Sequence, residues 1–310
     1  MKCLFTYQEL KKPEKNYSLA GLKKLHPKLT HLDIFPYTQD QQIREAQKLA
    51  GKMSIQGIQP KISVQLSVKD NSFQVVEKGG TYILKPQTNL YPELPENEDL
   101  TMHLAALAGI EVPWHGLLLS QGQVRSYVIK RFDRKGHGEK LSQEDFAQLL
   151  GASRITKYEG SMEKVAEILE YCSFPTLEGV KLFQRLIFSF LVGNEDMHLK
   201  NFSLITEITN KIRLSPAYDL VNSTIAMANP QEELALSLRD KKKGFKRADF
   251  ISYAIEDLFI PEKKANKEIE EMIKVIPIWK ETIESSFLSK PMKKEYKLLI
   301  DKRAKRLSNT

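Results

Sequence analysis

A chain of 310 residues with 41% apolar and 28% charged residues has enough material for a sizeable core in one large or two-lobed domain. No apolar run approaches the ~18–20 residues of a membrane-spanning helix, and the N-terminus becomes polar too early for a signal peptide. Cys3 and Cys172 are the only cysteines, which excludes a disulfide framework or a cysteine-built zinc site and favours a cytoplasmic protein. The net charge of +8 favours contact with anions, such as nucleotides, nucleic acid or an acidic partner, without choosing among them.

The first half of the chain predicts an antiparallel sheet. Apolar and polar residues alternate over 62–68, which is typical of a half-buried strand, and Gly79-Gly80 is typical of a turn. An amphipathic pattern that ends at Gly109 predicts a helix. The predicted elements are a mostly helical lead-in over 1–50, a meander of strands at 62–68, 73–76 and 81–85, a helix at 98–108, and strands at 116–120 and 124–130.

The second half changes to a helical composition. Two short strand-like pieces, 202–206 and 211–214, are the exceptions. We therefore predict an α+β, protein-kinase-like two-lobed fold, with a small antiparallel-sheet lobe over residues 1–133 and a larger, otherwise all-helical lobe over 134–310. The predicted helices of the larger lobe are 143–150, 161–171, 176–192, 246–258, 266–286 and 291–307.

A polar stretch after the apolar helix at 176–192 carries the clearest chemical signal. Asp196 and Asn201 lie five positions apart, and Asp219 follows eighteen residues later. This order of side chains is typical of phosphoryl-transfer enzymes, in which the first Asp accepts the proton of the substrate hydroxyl. The Asn and the second Asp supply the hard oxygen ligands that Mg²⁺ prefers.

Further parts of a kinase site precede this stretch in the expected order. Lys85 ends a predicted central strand and can bind phosphate oxygens, while Glu98 opens the next helix and can orient that lysine. Each feature alone is common, but the ordered set is not. A G-x-G-x-x-G phosphate loop is missing, and Gly57 is the only glycine near the right place. Backbone N–H groups around it could still hold phosphate.

Together with these features, a set of short motifs resembles the HipA family of bacterial serine/threonine kinase toxins. The resemblance covers roughly residues 50–225 and is most specific in Gly193-Asn194-x-Asp196-x-His198-x-Lys200-Asn201-Phe202. The family usually carries a further N-terminal subdomain, which has no counterpart in this sequence. The chain is therefore similar to the shorter HipT type, in which that subdomain is a separate small protein. The other matching pieces are Ser54-x-x-Gly57-x-Gln59-x-Lys61, Ile83-Leu84-Lys85-Pro86, Asn97-Glu98, Lys130-Arg131-Phe132-Asp133-Arg134, Gln143-Glu144-Asp145, Lys157-Tyr158-Glu159 and Leu214-x-Pro216-x-Tyr218-Asp219.

The resemblance implies a role for each matching residue. It makes Asp196 the catalytic base, Asn201 and Asp219 the Mg²⁺ ligands, and Ser54 the site of autophosphorylation, where added negative charge could pull the loop away from ATP. Residues 130–132 are expected to hydrogen-bond adenine through their backbone. The implied ATP-contacting residues are Gln56, Gly57, Ile58, Gln59, Lys61, Lys85, Glu98, Lys130, Arg131, Phe132, His198, Lys200, Asn201, Tyr218 and Asp219.

The resemblance also implies partners and a substrate. A small HipS-like protein and a HipB-like helix-turn-helix antitoxin are the expected partners, DNA is contacted through that antitoxin complex, and the substrate is an aminoacyl-tRNA synthetase. Two alternatives stay open: a small-molecule phosphotransferase of the aminoglycoside-kinase type, and a non-catalytic, DNA-associated co-repressor. In the complex with the antitoxin, the basic run at 239–247 could contact DNA phosphates, although a solvated basic turn explains it better.

Overall fold

The computed structural model describes residues 1–11, 15–50, 59–136, 139–153, 155–227 and 230–308. The predicted phosphate-loop residues Ser54, Gln56, Gly57 and Ile58 lie outside these ranges. The chain forms two compact units. The first contains residues 1–100, 113–139 and 285–288, and the second contains 101–112, 140–284 and 289–310. Among the described residues, no helix is both long enough and apolar enough to cross a membrane.

The helices and strands follow one another as an α+β arrangement. The helices are α1 (Leu19–Leu25), α2 (Gln39–Ala50), α3 (Leu94–Leu107), α4 (Phe146–Leu149), α5 (Met162–Glu167), α6 (Pro175–Val192), α7 (Ser223–Ala226), α8 (Arg247–Glu256), α9 (Glu262–Lys274), α10 (Ile276–Ser285) and α11 (Lys290–Leu307). The strands are β1 (Ile62–Ser67), β2 (Ser72–Val75), β3 (Tyr82–Lys85), β4 (His115–Ser120), β5 (Val124–Lys130), β6 (Arg134–Lys135), β7 (Glu139–Lys140), β8 (Gln143–Asp145), β9 (Ser203–Thr206) and β10 (Ile212–Leu214).

The first unit contains a five-stranded antiparallel sheet with the order β2-β1-β3-β5-β4. The predicted strands all form, but the prediction of a meander is wrong, because β3 pairs with β1 instead of β2. The connection from β2 to β3 passes close to the start of β1, where the N–H of Val76 donates to the carbonyl of Ser63 at 3.0 Å. A Cβ on Gly80 would lie 2.0 Å from Oγ of Ser63, so the crossing depends on a residue without a side chain.

The N-terminal segment contributes buried side chains to the core of this unit. The prediction of a mostly helical lead-in is wrong, since α1 and α2 are the only helices among the described residues before residue 51. Phe5 is buried and occupies the space above Gly116 on β4, where a Cβ would lie 2.5 Å from its ring. Burial of such apolar side chains stabilises non-helical backbone that has little helical preference of its own. The buried side chains of this core include Leu4, Tyr17, Leu29, Phe35, Ile62, Val64, Leu84, Leu117 and Val128.

The second unit is built around α6. Most of its side chains are buried from Leu182 to Val192, and the helix ends at Gly193 with a left-handed backbone (φ 78°). The predicted helix at 143–150 is partly wrong, because residues 143–145 form β8 and pair with β9. Asp145 then caps α4 by accepting from the N–H of Gln148 at 2.9 Å. The two strands predicted in this half form as β9 and β10, and together with β8, which was not predicted, they make a three-stranded sheet with the order β10-β9-β8.

Candidate active site

The polar loop that follows α6 is braced from two sides. The carbonyl of Gly193 accepts from the N–H of Thr224 at 3.1 Å, and the N–H of Glu195 donates to Oγ of Ser223 at 2.7 Å. On the other side, Arg303 of α11 is buried and pairs with the Glu195 carboxylate at 3.4 Å. Sequence reasoning missed this pairing, because the two residues are 108 positions apart and Arg303 lies in a helix of many cations. These contacts attach the loop to α7 and to α11.

Asp196 and Asn201 are tied together within this loop. The side-chain amide of Asn201 donates to the backbone carbonyl of Asp196 at 2.7 Å. The Asp196 N–H in turn donates to Oδ1 of Asn194, a buried residue to which sequence reasoning gave no role, at 3.2 Å. The Asp196 side chain is 47% exposed, whereas Asn201 is buried. Since the amide nitrogen of Asn201 is engaged, its amide oxygen is the atom that can serve as a ligand for a hard cation.

Asp219 lies in the same neighbourhood with an unusual backbone. Its φ of 55° is in the left-handed region, which Asp adopts at less cost than most residues. Burial raises the pKa of Tyr218, and the Asp219 charge raises it further. The Asp219 carboxylate also acts on the imidazole of His198, which it stabilises in the charged form. Asp196 therefore lies close to His198, and Asp219 is near enough for its charge to act on the same imidazole. The side-chain oxygens of Asn201 and Asp219 are of the kind that Mg²⁺ prefers.

The contact with Lys157 favours the neutral form of the His198 imidazole. The ammonium of Lys157 lies 2.7 Å from Nε2 of His198 and can only donate, so Nε2 is the unprotonated nitrogen. Burial lowers the pKa of His198 and the Lys157 charge lowers it further, against the charges of Asp196 and Asp219, which raise it. Asp196 Oδ1 is 3.9 Å from the same Nε2. Sequence reasoning had placed Lys157 in a matching motif without a role.

Lys200 and Tyr218 connect the loop to neighbouring elements. The Lys200 ammonium pairs with Asp145 at 2.8 Å, which gives the Gln143-Glu144-Asp145 motif a structural role. The Tyr218 hydroxyl contacts Oγ of Ser203 and donates to the carbonyl of Lys200 at 3.0 Å. Both residues thus brace the loop, and their predicted contacts with ATP remain predictions.

In the first unit, Lys85 and Glu98 form a buried ion pair. Their side chains are 2% and 3% exposed, and the Lys85 ammonium also lies 5.5 Å from the centre of the Tyr127 ring. A charge so far from water requires a partner, which Glu98 supplies from α3. The predicted pairing of the strand-end lysine with the helix glutamate is therefore present.

Two backbone N–H groups that the sequence suggested for adenine, at the end of β5, already donate hydrogen bonds within the protein. The N–H of Lys130 donates to the carbonyl of Trp114 at 2.8 Å, and the N–H of Arg131 donates to the carbonyl of Thr81 at 2.9 Å. These two donors are therefore engaged within the sheet. The predicted backbone contact with adenine therefore cannot use these two N–H groups without breaking their present hydrogen bonds.

The charged side chains of the same segment have a structural role. Arg131 makes two hydrogen bonds to Asp133, at 2.9 and 2.7 Å, and Arg134 contacts the same carboxylate at 2.6 Å. Burial alone would raise the pKa of Asp133, but the hydrogen bonds and charge of Arg131, together with Arg134, hold it below its usual value. Of the predicted phosphate loop, only Gln59, which is partly buried, and Lys61, which is exposed, are described.

Comparison with known structures shows the fold. The chain matches HipA from a complex of the Shewanella oneidensis MR-1 toxin HipA with HipB and operator DNA, with a TM-score of 0.72 over 90% of this chain and 72% of that chain. At 21% sequence identity this likeness shows the fold alone. The predicted α+β, protein-kinase-like fold is thus confirmed.

Sequence comparison shows the family. The family model described as the HipA-like C-terminal domain matches residues 53–279, and the chain belongs to this family. A Haemophilus influenzae relative that is provisionally named a kinase is 35% identical over 237 residues, which are 71% of this chain and 68% of the relative. The serine/threonine-protein kinase toxin HipA of Shewanella oneidensis is 29% identical over 210 residues, which are 61% of this chain but only 47% of that relative.

Proposed function

We propose that the protein is an ATP- and Mg²⁺-dependent serine/threonine protein kinase and the toxin of a toxin–antitoxin module. The observation that carries this proposal is the half-exposed Asp196 carboxylate on a braced loop, with Asn201 bonded to its backbone and Asp219 acting on the neighbouring His198. This arrangement offers a proton acceptor beside two hard oxygen ligands, which is the minimum that phosphoryl transfer to a hydroxyl requires.

Each residue of the site then has a distinct role in phosphoryl transfer. Asp196 accepts the proton of the acceptor hydroxyl while the hydroxyl oxygen bonds to the γ-phosphorus and the bond to the β-phosphate oxygen breaks, so that ADP leaves. Asn201 and Asp219 hold Mg²⁺, which neutralises phosphate charge when bound. Lys85, oriented by Glu98, contacts the phosphates.

Further nucleotide contacts are assigned on family resemblance. His198, Lys200 and Tyr218 line the phosphate side, although Lys200 has to leave Asp145 to reach a phosphate. Adenine lies along residues 130–132. The remaining contacts are the covering loop of Gln56, Gly57, Ile58, Gln59 and Lys61, with Ser54 as the autophosphorylation site.

Membership of the family also supports a proposal for the cellular role. The similar Shewanella oneidensis HipA was solved in a complex with HipB and operator DNA. We therefore propose a HipB-like antitoxin as a partner, together with a small HipS-like protein, and an aminoacyl-tRNA synthetase as substrate. A DNA-binding role for the basic run is less favoured, because Arg239 pairs with Glu256 and Asp257 at 2.7 and 2.8 Å and Lys241 pairs with Asp249 at 2.6 Å. These neighbours neutralise cations that DNA phosphates would otherwise attract.

The test is phosphoryl transfer from γ-labelled ATP. Purified wild-type protein and Asp196→Asn are incubated with Mg²⁺ and with three acceptors in parallel: a panel of bacterial aminoacyl-tRNA synthetases, an aminoglycoside mixture, and no added acceptor. The proposal predicts label on a synthetase serine and on Ser54 with wild-type protein only. Label on the aminoglycosides alone would identify a small-molecule phosphotransferase, and no label in any reaction would leave the non-catalytic co-repressor as the better explanation.

A further inference from the structure

Tyr158 contacts the residue that we assign as the base. Its hydroxyl donates to Oδ1 of Asp196 at 2.5 Å, across 38 positions of sequence. Within the described parts of the chain, no donor contacts Oδ2 of Asp196. The carboxylate is therefore tethered through one oxygen and presents the other. Hydrogen bonds to an ionised carboxylate are among the stronger ones in proteins, so this contact can decide the orientation of a half-exposed side chain.

The segment that carries Tyr158 is built onto the loop of Asp196. The N–H of Leu199 donates to the carbonyl of Lys157 at 3.2 Å, and the Lys157 ammonium contacts His198. The Tyr158 ring meets the His198 ring edge to face, with 4.9 Å between their centres. Gly160 packs so closely against Leu199 that a Cβ there would lie 3.2 Å from its methyl groups.

Both ends of the segment are also held. The N–H of Glu159 donates to the carbonyl of Thr156 at 2.9 Å, and Ser161 forms a bridge with Ser237. A segment that moves away when the acceptor binds would be expected to make few contacts with the loop of Asp196. The contacts of this segment along its length therefore favour a fixed wall beside Asp196.

Resting on the proposed function, we propose that Tyr158 is a positioning residue: its hydroxyl fixes Oδ1 of Asp196 so that Oδ2 faces the acceptor hydroxyl. The residues Lys157 to Gly160 form the wall that holds this hydroxyl in place. Because a misplaced base is costly, loss of the hydroxyl is expected to lower kcat about 10- to 100-fold. ATP is bound by other residues, so KM for ATP is expected to change less than about threefold.

The experiment compares Tyr158→Phe with a matched control. Tyr158→Phe keeps the ring against His198 and removes only the hydroxyl. Tyr171→Phe makes the same change at a side chain that is 66% exposed, and it is expected to leave kcat unchanged. Transfer of label from γ-labelled ATP to the synthetase panel and to the protein itself is measured for each. Replacement of Tyr158 by 4-aminophenylalanine, which keeps a donor at the same position, is expected to restore most of the rate, and thermal melts show whether each variant is folded.

Several results would overturn the positioning role. A Tyr158→Phe protein as fast as wild type, or faster, would make the hydroxyl irrelevant or inhibitory. A phosphate found on Tyr158 would make it an acceptor instead. If Tyr158→Phe does not fold, the 4-aminophenylalanine protein decides, since a rate below about a tenth of wild type would contradict the proposal. Wild-type protein that transfers no label would overturn the proposed function itself, which distinguishes the two failures.

Discussion

Gly193 joins α6 to the loop of Asp196, and a single added methyl group there tests how that loop is held. The left-handed backbone of Gly193 costs a residue with a Cβ about 1–2 kcal/mol. The Cβ of an alanine would also lie 2.5 Å from Cδ2 of Leu299 and 2.8 Å from Oδ1 of Asn222 and Oγ1 of Thr224. Overpacking of this kind costs a further ~1–3 kcal/mol. We therefore expect Gly193→Ala to lower the free energy of unfolding by about 3 kcal/mol.

Gly109→Ala provides the control for this prediction. Gly109 has the same φ of 78°, but a Cβ there meets nothing within 4 Å, so the variant isolates the backbone cost of ~1–2 kcal/mol. The effect of alanine on the unfolded chain is common to both variants and cancels in the comparison. Urea unfolding followed by circular dichroism measures both, and label transfer from ATP is expected to fall at least ~10-fold in Gly193→Ala alone, since Asp196 moves. Equal losses of stability in the two variants would show that the side chains around Gly193 move aside without cost. The predicted contribution from overpacking would then be refuted.

Three further predictions test the charged groups. Lys85→Met alone should cost about 3 kcal/mol of unfolding free energy because Glu98 stays buried without its partner, and Lys85→Met with Glu98→Leu should recover most of that stability in urea but no phosphoryl transfer. Asp196→Asn should reduce transfer at least ~100-fold and change stability by less than ~1 kcal/mol, since the side chain is half exposed; a large loss in its thermal melt would assign it a structural role instead. Asp133→Asn should cost ~2 kcal/mol at pH 7. Because the folded-state pKa of Asp133 is lowered, this difference from wild type should be fully present above pH ~4 and disappear as the pH falls through the folded-state value.

Local patterns in the sequence predicted most elements close to their observed bounds. The strand at 124–130 is observed as predicted, and the helix predicted at 176–192 begins one residue earlier, with proline in its first turn. The predictions are wrong where residues distant in sequence determine the secondary structure or the strand pairing. Residues 143–145 form a strand because the edge of β9 is there to pair with, and β3 pairs with β1 because Gly80 lets the chain cross.

The candidate site divides in the same way. Asp196 and Asn201 share one loop, so their spacing was enough to predict their association, and the backbone hydrogen bond between them agrees. The contacts of Tyr158 with Asp196 and of Lys157 with His198 were not predicted, because a short motif says nothing of the partners that its side chains meet. The engagement of the Lys130 and Arg131 amides also depends on neighbouring strands that no local pattern names.

By itself, the sequence determined which segments form helices and strands, which residues have the chemistry of phosphoryl transfer, and the family that those residues resemble. Only the tertiary structure decided which side chains hold the loop of Asp196: Arg303 through Glu195, Tyr158 through Oδ1, and Lys157 through His198. The physical reason is that hydrophobic periodicity and turn chemistry act over a few residues. A hydrogen bond or ion pair between residues 38 or 108 positions apart exists only once packing has brought its two partners together.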